Sequence, residues 1–194
     1  FLNWSTITAT MFVANAPYIK HEFEVLRDSG DWNRWRNAIK ETYLGAPTNL
    51  PYYTATSGNL VHQAYHLKKF EDLSGKKLID IESIFEFGCG YGAMALVARR
   101  AGFMGDYYVH DFPEMLFLTL YYLGNLGVED IHYIDNVQPL NIDLFVACYS
   151  LSEVKTGIRK HVLNTVHADN YLLVFQEYWD DIHNYEWFDS FALM

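Results

Sequence analysis

The stretch Ile84-Phe-Glu-Phe-Gly-Cys-Gly-Tyr-Gly92 reads as an apolar strand that runs into a glycine-rich turn and then opens a helix. Glycine at 88, 90 and 92 permits positive φ and close approach of a ligand to the backbone, and amides freed at a helix start can meet a carboxylate. The chemistry this predicts is ligand binding at the carboxyl edge of a sheet, with Glu86, Gly88, Cys89, Gly90 and Gly92 as contacts. Gly88-x-Gly90-x-x-Ala93 also satisfies the relaxed dinucleotide fingerprint. Glu86 separates the two readings: a carboxylate two residues before the first glycine can accept from the ammonium of a methionine moiety, and it repels a pyrophosphate.

Val109-His-Asp111-Phe-Pro113 places an acid at the end of the next strand, where it can take both hydroxyls of a ribose, with Phe112 beside it. Asp before Pro is also a common helix start, so a capping role for Asp111 stands next to the binding one. Asp135 and Asn136, closing the third strand, read equally as adenine contacts and as turn residues. For proton transfer the candidates are Glu153, in Ser150-Leu-Ser-Glu153, and His66. Ser-x-x-Glu is also the capping-box pattern, so Glu153 carries two readings. His62 and His66 lie four apart and share a helix face. The intervening Gln-Ala-Tyr lacks the Glu of a zinc-peptidase helix, so no metal is predicted, and either imidazole is expected to reach the site from the N-terminal cap.

These groups need a frame, and the pattern beyond residue 77 supplies one. Short apolar runs at 83–87, 106–110, 131–134, 142–149 and 171–176 alternate with helical stretches at 91–101, 113–126 and 153–166. Such alternation predicts an α/β fold, a doubly wound, Rossmann-like, mostly parallel sheet over 78–194. Residues 1–77 read as a helical cap with turn punctuation, including helices over 32–44, capped by Asp31, and 58–73.

Length and composition bound the rest. A chain of 194 residues, 51% hydrophobic, suits one main compact domain. With 24 acidic against 14 basic residues and no basic cluster, nucleic acid and anionic membrane are not expected partners. Cys89 and Cys148 sit in apolar or glycine-rich segments, which predicts free thiols and a cytoplasmic setting. No apolar run reaches the roughly 18 residues of a membrane span, and the N-terminal residues lack a signal-peptide pattern. The chain opens at Phe1 and is read as a fragment or processed product; the sequence carries no signal for an oligomeric state.

Phe85-Glu-Phe-Gly-Cys-Gly-Tyr-Gly92, followed by Asp111 and then Asp135, resembles the class I S-adenosylmethionine-dependent methyltransferases. More narrowly, Thr56-Ser-Gly-Asn-Leu-Val-His-Gln-Ala-Tyr-His-Leu-Lys-Lys-Phe-Glu71, with Cys148-Tyr-Ser-Leu-Ser-Glu153, is similar to the sugar O-methyltransferase family, over roughly residues 45 to 190. The resemblance implies S-adenosylmethionine as cofactor, with Glu86, Gly88, Gly90 and Asp111 in contact. It also implies methyl transfer to a hydroxyl of a small acceptor, a sugar or glycan precursor. Only residues 177–194 follow the fifth strand, too few for the helix and closing strands that the resemblance implies, so a sheet truncated at its C-terminal side is expected. Two other readings use the same turn: an NAD(P)-dependent oxidoreductase, and a non-catalytic module that binds S-adenosylmethionine.

Overall fold

The computed structural model describes residues 1–11, 13 and 15–190. The chain begins with helices α1 (Ser5–Thr10), α2 (Pro17–Arg27) and α3 (Trp32–Ala38), then a short hairpin of β1 (Asn49–Leu50) and β2 (Tyr53–Ser57), then α4 (Gly58–Ser74). Helix α4 starts where the Ser57 side chain accepts from the Leu60 amide at 3.4 Å, and it stops at Gly75, whose φ of 72° is the left-handed conformation that ends helices. Besides its helices the cap carries this hairpin, which the sequence reading did not include. The helix expected over 32–44 ends at Ala38 because the Glu41 amide leaves it to donate to the Ala55 carbonyl at 2.8 Å, and aromatic and β-branched residues at 52–56 suit a pleated strand. Asp31 flanks α3 without a side-chain cap bond; it faces Arg34 and Lys77 instead.

The remainder alternates as expected: β3 (Ser83–Phe87), α5 (Ala93–Arg100), β4 (Asp106–His110), α6 (Pro113–Asn125), β5 (Ile131–Ile134), β6 (Leu140–Cys148), a 3-10 turn at Ser150–Glu153, α7 (Thr156–Thr165) and β7 (Val166–Val174). Strands β5-β4-β3-β6-β7 form one sheet in that order, every neighbouring pair parallel. The chain winds outward from β3 to β5 and then crosses back to β6 and β7. The order therefore reverses beside β3, which is where an open α/β sheet offers a crevice. A two-stranded antiparallel pair, β8 (Tyr178–Trp179) and β9 (Ile182–His183), and α8 (Asn184–Asp189) follow.

Two boundaries of the sheet region differ from the sequence reading by more than two residues. Strand β7 opens at Val166, five residues before 171, because Val166, Ala168 and Asn170 pair with Leu140, Ile142 and Leu144. As the last strand of the sheet it leaves His167 and Asp169 exposed, so its first half carries too much polarity to look like a buried strand. The helix expected over 153–166 is split into the 3-10 turn and α7.

Side chains alternate across β3: Ile84 joins one buried cluster, Phe85 and Phe87 the other. The first cluster runs from Leu2, Ile19 and Trp35 through Leu67 to Leu96, Tyr107 and Val146, so cap and sheet share one core across residue 77. The second joins Phe85, Phe145, Val162 and Phe188 on the opposite face.

Glu71 fastens the cap to the sheet. Its carboxylate receives Arg34 of α3 in a two-point contact at 2.5 and 2.8 Å and the Leu78 amide at 2.9 Å. Burial pushes Glu71 up; the Arg34 and Leu78 hydrogen bonds and the charges of Arg34 and Lys77 more than reverse this and hold it below its ordinary value of 4.5. A carboxyl lowered on folding stabilises the native state above its unfolded value and loses that contribution as pH falls through the native one. Glu71→Gln is thus expected to cost about 2 kcal/mol near neutral pH, less than for a fully buried pair because Arg34 is partly exposed. In urea unfolding the gap between variant and wild type should close as the pH drops below 4.5; a gap that stays constant into acid would show that the charge is not what stabilises.

Candidate functional site

A cleft of about 900 Å³ opens at the carboxyl ends of β3, β4, β5 and β6, roofed by the cap. The strand order puts the groups named from the sequence along it. Glu86, Gly88, Cys89 and Gly90 come from the end of β3, Asp111 and Phe112 from beyond β4, and Asp135 and Asn136 from beyond β5. Glu153 lines it after β6, exposed to solvent. Gly92 and His66 lie outside the lining.

Gly88, Gly90 and Gly92 all have positive φ, at 78°, 57° and 93°. The turn is nevertheless built differently from the simple expectation of freed amides. The Gly88 amide donates to the His110 carbonyl at 2.7 Å, the Gly92 amide to the Cys89 carbonyl at 2.9 Å, and the Gly90 amide to Asp111 Oδ2 at 2.8 Å. All three glycine N–H groups are already engaged by the protein. Packing supplies the other reason for glycine: a Cβ at 88 would sit 2.2 Å from the Ser150 Cβ, and one at 92 would sit 2.9 Å from the Thr119 methyl. At 90 the neighbour is Met11 Sδ of the N-terminal segment, at a looser 3.3 Å.

Two carboxyls face this end. Glu86 is 5% exposed, and Tyr107 donates its hydroxyl to Oε2 at 2.9 Å. Burial, with the nearby charge of Asp111, raises Glu86 to about 8 despite the Tyr107 bond. Asp111 is raised by burial as well, against the amides of Gly90 on Oδ2 and Phe112 on Oδ1, both at 2.8 Å. The capping alternative for Asp111 is not realised. The residue preceding α6 is Phe112, and Asp111 bonds neither of the next two amides of the helix. Cys89 turns its sulfur to Thr119 Oγ1 at 3.4 Å, and Phe112 stands 75% exposed at the rim.

The capping box at 150–153 is not formed either. Ser150 donates its hydroxyl to the Phe87 carbonyl, tying the end of β6 to that of β3, while Glu153 Oε1 accepts from Gln176 Nε2 at 3.3 Å. Helix α7 begins only at Thr156, with Lys155 as its flanking residue.

The other end of the cleft holds groups that sequence reasoning undervalued. Asn59, His62 and Gln63 line it from α4, with Tyr149 from the turn after β6. Of the expected pair, His62 faces the cleft and His66 sits behind it, Nε2 to Nε2 at 3.0 Å. Burial, reinforced by His62, lowers His66 to about 3 and keeps it neutral. The nomination of His66 as a group meeting substrate is corrected accordingly. The signal was present in the sequence: Asn59, His62 and His66 recur at three-to-four spacing, and all three are buried on a helix whose other buried positions are apolar apart from Glu71 near its end. The carbonyl oxygens Asn59 Oδ1 and Gln63 Oε1 are buried without a hydrogen-bond partner among the described residues. Among those residues no group of three or more His, Cys, Asp or Glu is placed to hold a metal ion, and no helix is long and apolar enough to cross a membrane.

Fold and cleft together define a Rossmann-like α/β protein with a cleft at its switch point. No protein-family model and no curated protein matches the chain. Solved structures that align with the chain include protein 1320 of Thermoplasma acidophilum, at 12% identity over 72% of this chain and 67% of that one, with a TM-score of 0.48. A protein-L-isoaspartate O-methyltransferase aligns at 15% identity over 76% of this chain and 52% of its own, TM-score 0.46. Mitomycin 7-O-methyltransferase MmcR aligns at 11% identity over 80% and 49%, TM-score 0.44. The chain thus spans about half the length of these two methyltransferases.

Proposed function

We propose that this chain binds S-adenosylmethionine at the Glu86 end of the cleft and transfers its methyl group to a hydroxyl of a small acceptor, with a sugar as the preferred class. The observation that carries the reading is the chemistry of the turn. Two carboxyls face the ligand, and the three glycine amides that would cradle a diphosphate are already bonded within the protein. That set of acceptors fits a cationic ligand bearing hydroxyls and opposes a dinucleotide.

Glu86 would meet the ammonium of the cofactor's amino-acid end, and Asp111 would take the ribose hydroxyls on the lone pairs its two amide bonds leave free. Asp135 and Asn136, beyond β5, would edge the adenine, while Gly88, Cys89, Gly90 and Phe112 shape the floor and rim; Gly92 acts through the turn's conformation. S-adenosylmethionine, when bound, supplies a methyl group on a positively charged sulfur that leaves as a neutral thioether once the acceptor oxygen has taken the methyl. The protein's part is alignment, exclusion of water by the cap, and removal of the hydroxyl proton. Glu153, at the mouth, would bind an acceptor hydroxyl. The Asn59 and Gln63 carbonyls, without a partner among the described residues, call for hydrogen-bond donors, which a polyhydroxylated acceptor provides.

Titration calorimetry with S-adenosylmethionine, S-adenosylhomocysteine and NAD tests this directly. Binding of the first two and not of NAD is expected. Asp111→Ala should weaken them by about tenfold to a hundredfold through lost charge-assisted hydrogen bonds and a loosened Gly90. NAD binding with indifference to S-adenosylmethionine would replace the reading with the oxidoreductase one, and S-adenosylmethionine binding with no turnover on any acceptor would leave a binding module.

A further inference from the structure

We propose that Tyr149, His62 and Glu22 form a proton relay that carries the acceptor's hydroxyl proton out of the cleft into the cap, with Tyr149 as the group that meets the acceptor. The inference rests on the methyl-transfer reading and gives it a phenol that meets the acceptor, backed by the His62 imidazole.

Each link is visible. Glu22 of α2 is buried, and both of its oxygens lie 2.9 Å from His62 Nδ1. A carboxylate only accepts, so His62 must carry a proton on Nδ1, and in the neutral ring Nε2 is then the basic nitrogen. Nε2 lies 3.3 Å from the Tyr149 hydroxyl, and the two rings stack at 5.9 Å and 12°. Tyr149 lines the cleft, whereas Glu22 does not, so the three residues lead from the ligand space inward.

The backbone at Tyr149 supports a functional role independently. Its φ of 70° lies in a region that a bulky side chain avoids, and the conformation is held by its amide on the Val174 carbonyl at 2.7 Å and by the Ser152 amide on its own carbonyl at 2.8 Å. Strain of this kind persists where the surroundings fix it, and here it turns the phenol onto His62.

The transfer balances. As the acceptor oxygen takes the methyl group, its proton moves to the Tyr149 oxygen while the phenolic proton moves to His62 Nε2. The positive charge that the sulfur gives up reappears as an imidazolium against the Glu22 carboxylate. His66 Nε2–H, 3.0 Å from the same Nε2, shares that lone pair with the Tyr149 hydroxyl while His62 is neutral and must turn aside as the phenolic proton arrives; because burial keeps His66 neutral, the charge stops at His62 beside Glu22. Tyr18 of α2 completes the surroundings, its ring 5.6 Å from His62.

The test reads the imidazole nitrogens of the whole chain by long-range 1H–15N correlation. Wild type should show neutral His62 as the Nδ1–H tautomer, and Glu22→Leu, which removes the acceptor at similar volume, should populate Nε2–H. A wild-type His62 already protonated on Nε2, or a tautomer unchanged in Glu22→Leu, would overturn the relay. In parallel, formation of S-adenosylhomocysteine is followed with monosaccharides and catechol as acceptor probes. Tyr149→Phe keeps the stacked ring and removes only the hydroxyl; it should lower kcat by about a hundredfold while leaving S-adenosylmethionine affinity within about twofold of wild type. Unchanged kcat overturns the assignment. A wild type that neither binds S-adenosylmethionine nor forms S-adenosylhomocysteine would sink the methyl-transfer reading, and with it the relay's catalytic role, whatever the tautomers show.

Discussion

Gly88→Ala is expected to destabilise the protein by about 3 kcal/mol, from roughly 1–2 kcal/mol for a left-handed non-glycine residue and a similar amount for overpacking. The overpacking arises because the new Cβ lands 2.2 Å from the Ser150 Cβ, on the turn that joins the ends of β3 and β6. Ser150 cannot retreat freely, since its hydroxyl is bound to the Phe87 carbonyl next to the glycine. For a domain of this size the melting temperature should fall by about 6–12 °C. Gly90→Ala provides the contrast. Its φ is also positive, but its Cβ meets only the end of the flexible Met11 side chain at 3.3 Å, so the penalty reduces to the backbone part, about 1–2 kcal/mol. Thermal unfolding of the two variants side by side decides the matter. If Gly88→Ala melts no lower than Gly90→Ala, the packing account of the turn is wrong.

That contrast also marks where the sequence is readable. The glycine spacing and the strand alternation are local signals, and β3, β4 and β5 fall where the apolar runs place them. The acids at 86 and 111 follow from the same logic, because residues at the carboxyl ends of adjacent parallel strands must converge on one crevice. What a local pattern does not carry is the partner of each polar group. Ser150-Leu-Ser-Glu153 has a helix-start signature, yet its serine is drawn to a carbonyl on β3, 63 residues away, and its glutamate to Gln176. The fate of the glycine amides is likewise tertiary: Asp111 claims the Gly90 N–H across 21 residues. Glu22 gives no sign of a role in its own helix, and only the fold brings it to His62, 40 residues on. The β1–β2 hairpin and the early start of β7 escaped for the same reason, since pairing across the chain outweighed weak local preference.

Glu86 gives the second large effect, and its sign is opposite to that of an ordinary salt-bridged acid. Its native value of about 8 lies above the ordinary 4.5, so between those two the folded protein without ligand holds a proton that the unfolded chain has lost. Stability must then fall as pH rises through that window, by up to about 1.4 kcal/mol per pH unit from this group alone. A cationic ligand reverses the balance: an ammonium at Glu86 favours the carboxylate, so binding releases the proton. The affinity for S-adenosylmethionine should therefore rise with pH more steeply in wild type than in Glu86→Gln, by up to about tenfold per pH unit below the native value. Calorimetry in buffers of different ionisation enthalpy counts the released proton, about one per ligand in wild type near pH 7 and less in the variant by that one. The same Gln variant, still able to accept from Tyr107, should become the more stable of the two at alkaline pH when no ligand is added, because it no longer buries a group that seeks to ionise. Equal proton release by wild type and Glu86→Gln would mean that this carboxyl does not meet the charge of the ligand, and the methyl donor would have to be placed elsewhere.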